Sequence, residues 1–364
     1  MEPVSKYIFE SIPIEIIIIT CFFTAFIISF ATIPFIVRIS RLKGIYGNRS
    51  GRNTHSKNIP TLGGVAIFAG FIVAFAVFTG PFKLNGIIYL IAGIMVVFFI
   101  GLTDDILNIK PIWKLLGEII AALILILLSD IRITSFYGFL GVGEIGYLLS
   151  VLFTLLVFIV VINSFNLIDG IDGLASGTGI ISAISFGLIF YLEKQYSFIV
   201  MTASLAGSLI AFFYFNIFSK SRKILMGDSG SLILGLLEAV MAIKVLEFEH
   251  SSTPAFQSVS TPAIVFGILI IPVFDILRVT FLRIIHGRSP FRADSRHIHY
   301  RLLALGLTHI QSSGILIGIN ILFIILVFML KNWEVNMLMG LLFVIAVLLS
   351  SVPYLLLRRI KKRQ

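Results

Sequence analysis

The sequence predicts an all-α polytopic integral membrane protein, and three observations carry that reading. Of 364 residues, 58% are hydrophobic and only 13% are charged, where a soluble domain has roughly a quarter charged. Apolar runs of the roughly 20 residues needed to cross a bilayer recur along the whole length. Lys and Arg gather in every second connection, as the positive-inside rule demands of a threaded chain. Together these describe one transmembrane domain over residues 1–364 with about eleven helices, the N-terminus outside and the C-terminus cytoplasmic.

Taken in order, the first run covers 12–38. It is too long for a cleaved signal sequence and lacks a small-residue cleavage site, so it reads as a span. Cys21, the one cysteine, lies inside it, which excludes a disulfide within the chain. Three shorter runs follow at 62–79, 86–102 and 112–129, and one of them is a candidate re-entrant segment. Next come 148–163, 174–191, 197–217, 229–247 and 262–281, then 310–330 and 337–357. The longer outer connections are 130–146 and 248–261. The first mixes alternating apolar residues with turn glycines and predicts a small hairpin. The inner connections are richer, the largest being 39–61 and 282–309.

Charge fixes the orientation. Inner segments hold 22 of the 28 Lys and Arg, and an odd number of spans puts the basic tail at 358–363 on the same side. The net charge of +10 is therefore chiefly a topology signal, and no nucleic-acid partner is expected. Acidic residues sort too: seven of eight Asp fall at the inner face, while no Glu does. Short carboxylates gathered on one face suit a divalent cation and polar substrate groups.

Five polar clusters line that face. Lys57-Asn-Ile-Pro60-Thr61-Leu-Gly63-Gly64 is either a basic loop with a helix-start proline or a phosphate-contacting turn whose glycines admit close backbone approach. Asp104-Asp105-Ile-Leu-Asn108 brings two mutually repelling carboxylates to a membrane face, which calls for a cation or a shared proton. Just beyond, Lys114 and Glu118 are spaced to pair with each other on a helix. The third cluster, Asn163-Ser-Phe-Asn166-Leu-Ile-Asp169-Gly170-Ile-Asp172-Gly173-Leu174, is poorly explained by packing. Ionisable groups at such depth mark a pathway or a reaction centre. In Met226-Gly227-Asp228-Ser229-Gly230-Ser231, Asp228 is an N-cap candidate, while the helix start also presents N–H groups to an anion and its small residues leave room for a ligand. The last cluster runs from Asp275 and Arg278 through Arg296-His297-Ile-His299-Tyr300-Arg301. Thiolates are absent, so zinc fits poorly, and arginines beside histidines suit a diphosphate better. Hard oxygen ligands with Lys and Arg describe metal-assisted phosphoryl chemistry at a lipid interface.

These clusters, in this order over about residues 55–305, resemble the polyprenyl-phosphate N-acetylhexosamine-1-phosphate transferase family (glycosyltransferase family 4, MraY superfamily). The H-x-H loop is closer to its WecA/TagO-like branch than to the MraY-type phospho-MurNAc-pentapeptide transferases, which remain the alternative. The resemblance implies transfer of a sugar 1-phosphate, N-acetylglucosamine 1-phosphate foremost, from a UDP-sugar to undecaprenyl phosphate with release of UMP. That reaction initiates a cell-surface polysaccharide or teichoic-acid linkage. It also implies a multi-pass protein of the bacterial cytoplasmic membrane, an active site facing the cytoplasm, Mg²⁺ or Mn²⁺ as cofactor, and room for a homodimer. By the same resemblance Asn166 and Asp228 are the metal ligands. Asp104 and Asp105 are the pair that deprotonates or orients the lipid phosphate, and Asp172, His297 and His299 are catalytic. Lys57, Lys114, Asn163, Asp169 and Arg296 bind substrate. One departure stands out: Tyr300 replaces a histidine, so this position can hydrogen-bond but carries no charge at pH 7. A cation-coupled transporter is the rival from another class, but it calls for acids at mid-membrane rather than at one face.

Overall fold

The computed structural model describes residues 12–46, 59–80, 82, 86–248, 260–287 and 296–363. Among them the chain forms thirteen α-helices and a single antiparallel β-bridge, Ser135 to Glu144. The helices are α1 (Ile14–Lys43), α2 (Gly63–Thr79), α3 (Ile87–Leu107), α4 (Pro111–Leu128), α5 (Tyr147–Ile168), α6 (Leu174–Leu192) and α7 (Tyr196–Ile217). They continue with α8 (Gly227–Glu247), α9 (Thr261–Ile268), α10 (Ile270–Ile285), α11 (Ile298–Ala304), α12 (His309–Met329) and α13 (Val335–Arg363). Nine of the described helices are long and apolar enough to cross a bilayer, and the pair α9–α10 makes a tenth if taken as one span. The 17-residue α2 occupies the second expected span; at about 26 Å it falls just short of the hydrocarbon thickness. The protein is a multi-pass membrane protein.

The bundle is built around α8. Within its apolar stretch 89% of residues are buried by other helices, against 22% for the peripheral α13. Helices α2, α3, α5 and α6 pack around α8, while α1 and α7 flank α2. In lipid the tails are as apolar as any leucine, so close packing and internal hydrogen bonds hold such helices together. Small residues make the approach possible. A Cβ on Gly101 of α3 would stand 2.6 Å from the Ser229 backbone nitrogen, and one on Gly64 of α2 would stand 2.6 Å from the Gly230 Cα. The Gly64 N–H donates to the Met226 carbonyl at 2.8 Å, and Leu225 N–H to the Pro60 carbonyl at 2.8 Å. The small residues 227–231 therefore let three backbones meet.

The span expected as one helix over 262–281 is instead broken at Leu269, where α9 and α10 meet at 86°. Pro272 lacks the N–H that would bond the Ile268 carbonyl four residues back. Asn320 of α12 donates to that carbonyl at 3.3 Å, so the freed backbone group finds a partner inside the protein, as the bilayer requires. The connection 130–146 forms the expected small hairpin. It is paired by Phe136 N–H to Gly143 carbonyl and Ile145 N–H to Thr134 carbonyl, and it is anchored by Glu247, which accepts from Thr134 and Tyr137.

Because Gly64 faces backbone rather than a flexible side chain, Gly64→Ala should destabilise the fold by about 1–3 kcal/mol through overpacking. Gly314→Ala, with nothing within 4 Å, should not. The buried single thiol of Cys21 gives the readout, by its reaction with a fluorogenic maleimide during heating. Matching transitions for the two variants would contradict the close approach.

Candidate active site

Four helix ends converge at one end of the bundle. Asp104 and Asp105 lie in the last turn of α3, Lys114 in the first turn of α4, Asn166 in the last turn of α5 and Asp228 in the first turn of α8. Pro111 opens α4 at its first helical position, where its missing N–H costs nothing. Lys114 Nζ forms an ion pair with Asp228 Oδ2 and donates to Asn166 Oδ1 at 3.3 Å. The Asn166 amide donates to Asp228 Oδ1 at 2.6 Å and to Ser231 Oγ at 2.8 Å. The carboxyl of Asp104 lies beside that of Asp228, and Asp104 Oδ1 accepts the Ile109 N–H at 2.8 Å. Lys114 and Asp228 side chains are 15% and 24% exposed, so the centre is accessible from solution.

The expected pairing of Lys114 with Glu118 does not form. Glu118 is 1% exposed and accepts from the Asn163 amide at 2.5 Å, while Lys114 turns to Asp228 and Asn166. Asn163 lies one turn deeper than Asn166 and is rotated by about 60°, so its amide is engaged by Glu118 and by the Ile159 carbonyl. The aspartate pair is split as well. Asp105 faces away from Asp104, accepting from the Asp228 and Ser229 N–H groups and from the Ser229 hydroxyl.

The chain then leaves α5 at its half-buried C-cap residue Asp169 and turns tightly through residues 170–173. Gly173 has φ +78°, a conformation L side chains avoid, and its N–H donates to Asn216 Oδ1 at 2.7 Å. The buried Asp172 carboxylate pairs with Lys223 at 2.6 Å and lies 3.4 Å from His309 Nδ1, while its carbonyl accepts from Ser313. Lys223, Asn216, His309 and Ser313 were not singled out from sequence. The position of Lys223 just upstream of the Gly227-Asp228 segment was the available signal.

Over Gly170 lies the H-x-H turn: His299 Nε2 and the Tyr300 hydroxyl each come within 3.0 Å of where a Gly170 Cβ would stand. Asp275 of α10 holds this turn in place. Its Oδ2 bonds His297 Nδ1 at 2.9 Å, and its Oδ1 accepts from Arg278 at 2.7 Å and from the Ile298 N–H at 3.2 Å. Arg278 also donates to the Arg296 carbonyl at 2.8 Å. Among the described residues neither His297 Nε2 nor His299 Nε2 has a hydrogen-bond partner. Burial lowers the His299 pKa to about 4, overriding the attraction of Asp275. Its imidazole is therefore neutral near pH 7. Lys57 lies outside the described residues.

The donor set fits a hard divalent cation. Asn166 Oδ1 and Asp228 Oδ2 already hold a cation, the Lys114 ammonium. No group of three or more His, Cys, Asp or Glu able to hold a metal occurs among the described residues. Mg²⁺ suits so sparse a set, since it keeps several waters and takes one or two carboxylates together with substrate phosphates.

Residues 87–246 match the family described as Glycosyl transferase family 4. The chain is 31% identical over 311 residues to the decaprenyl-phosphate N-acetylglucosaminephosphotransferase of Mycobacterium tuberculosis, covering 78% of this chain and 75% of the relative. It is 28% identical over 337 residues to a probable undecaprenyl-phosphate N-acetylglucosaminyl 1-phosphate transferase of Bacillus subtilis, covering 90% of each. To the undecaprenyl-phosphate alpha-N-acetylglucosaminyl 1-phosphate transferase of Escherichia coli O157:H7 it is 26% identical over 282 residues, covering 76% of this chain and 73% of the relative.

The lowered His299 pKa makes a pH prediction. The unfolded imidazole takes up a proton near pH 6.5 while the folded one does so only near 4, so stability falls as pH drops through that window. At pH 5 the loss is about 2 kcal/mol. Unfolding measured from pH 7 to 4.5 should show a shallower acid dependence in His299→Gln than in the parent. Equal slopes would remove His299 as the source.

Proposed function

The chain belongs to glycosyl transferase family 4, and we propose that it transfers N-acetylglucosamine 1-phosphate from its UDP conjugate to undecaprenyl phosphate. A lipid phosphate oxygen attacks the β-phosphorus of the UDP-sugar. The bond from that phosphorus to the bridging oxygen breaks, leaving the lipid diphosphate-sugar and UMP. The observation carrying this reading is the meeting of Lys114, Asn166 and Asp228, from three separate helices, around one cationic position.

Asn166 and Asp228 would hold Mg²⁺ or Mn²⁺, which when bound neutralises phosphate charge and lets the phosphoryl group separate from UMP. Lys114, held at that position by Asp228 and Asn166, supplies the fixed positive charge that phosphoryl transfer depends on. Asp104, facing the same centre, orients the incoming lipid phosphate. The turn of residues 170–173 and the H-x-H turn above it close the other side. There the neutral His299 offers a hydrogen bond to the diphosphate or the sugar without adding charge, and the Nε2 of His297 offers another. Asp172 with Lys223 and His309 forms a second polar wall, suited to the nucleotide, while Asp169, Arg296 and Lys57 complete the substrate contacts. The wall carrying these groups is the cytoplasmic one on the Lys and Arg distribution, where a soluble UDP-sugar can meet a lipid acceptor.

Purified protein with undecaprenyl phosphate, Mg²⁺ and a panel of UDP-sugars should release UMP with UDP-N-acetylglucosamine. Asp228→Ala and Lys114→Ala should each lower turnover by about 10²–10³-fold, as for the loss of one electrostatic donor. Near-normal turnover by Asp228→Ala with unchanged Mg²⁺ dependence would take Asp228 out of this role, and no UMP from any sugar would overturn the reading.

A further inference from the structure

Asp104 and Asp105 are adjacent in sequence, yet their carboxylates meet different partners. Asp105 Oδ1 accepts the Asp228 N–H at 2.7 Å. Its Oδ2 accepts the Ser229 N–H at 3.0 Å and the Ser229 hydroxyl at 2.6 Å. Those two N–H groups are orphan donors in the first turn of α8, which an N-cap side chain normally satisfies. The residue at the N-cap position is Met226, which makes no side-chain cap. The cap comes instead from α3.

The local sequence is shaped to admit it. Gly227 has φ +74°, and a Cβ there would stand 2.6 and 2.7 Å from the two Asp105 oxygens. Gly101, one helical turn before Asp105, lets α3 lie against the Ser229 backbone. Three donors from one helix turn thus occupy both carboxylate oxygens.

We infer that Asp105 is a positioning residue: it caps α8 from outside the helix and so fixes Asp228, and it does not itself touch the lipid phosphate. This rests on the reading of Asp228 as the ligand that faces metal and diphosphate. The work of meeting the substrate then falls to Asp104 alone, the member of the pair whose carboxyl faces the Asp228 carboxyl rather than its backbone.

The test compares Asp105→Asn, Asp105→Ala and Asp104→Asn in the full-length protein. In Asp105→Asn the amide oxygen still accepts the Asp228 N–H and the Ser229 hydroxyl can turn to accept from the new NH₂, while the Ser229 N–H alone loses its acceptor. Its turnover should stay within about tenfold of the parent, with a pH profile of kcat/KM parallel to it. Asp104→Asn should be far more impaired. Asp105→Ala should speed amide hydrogen exchange in peptides covering residues 226–232 by roughly 2- to 30-fold, the range expected for a lost cap, and leave exchange in α7 unaltered. An Asp105→Asn protein inactive at every pH, with first-turn exchange like the parent's, would overturn the inference, and so would unchanged exchange in Asp105→Ala. Absence of UMP release by the parent would strike only the functional reading, because the exchange result needs no substrate.

Discussion

The N-terminus of the most deeply buried helix is the constraint around which this protein is arranged. The first turn of helix α8 packs against the backbones of α2 and α3 with Ser229 fully buried, and an unmet backbone donor there is costly. Asp105 meets that need from α3. The same first turn carries Asp228, so satisfying the backbone and aiming the functional carboxylate are one event. Glycines on α2, α3 and α8 follow from it, since the cap works only if the three backbones nearly touch.

The same logic recurs wherever the chain departs from a straight span. The break at Leu269 leaves the Ile268 carbonyl to Asn320, and the turn after α5 leaves the Gly173 N–H to Asn216 and the Asp172 carbonyl to Ser313. Each irregular stretch is locked by a side chain from a distant helix. That rigidity matters at a phosphoryl-transfer centre, where catalysis comes mainly from fixed charge and position.

Charge is balanced in compact local sets. Lys114 lies between Asp228 and Asn166, Lys223 against Asp172, and Arg278 against Asp275. The buried acids away from this end are met by polar neighbours instead: Glu118 by Asn163, and Glu238 by Ser182 at 2.6 Å. A carboxylate that serves structure is thereby told apart from one that faces a ligand by what lies across from it, not by residue type.

The positions of the spans were legible in the sequence, because a bilayer demands long apolar runs and every expected run became a helix or a broken pair of helices. So were the polar clusters at the helix ends, because ionisable groups beside such runs are too costly to lack a role. Tertiary structure alone decided how those groups divide. It assigned Asp105 to α8 and Asp104 to the open centre, took Asn163 to Glu118, and gave Lys114 to Asp228. It also recruited Asn216, Lys223, His309 and Ser313, and bent the chain at Leu269. Polarity and periodicity fix which way a residue points on its own helix. Which partner it meets depends on how closely other backbones approach, and that distance is set by glycines and hydrogen bonds contributed from elsewhere in the chain.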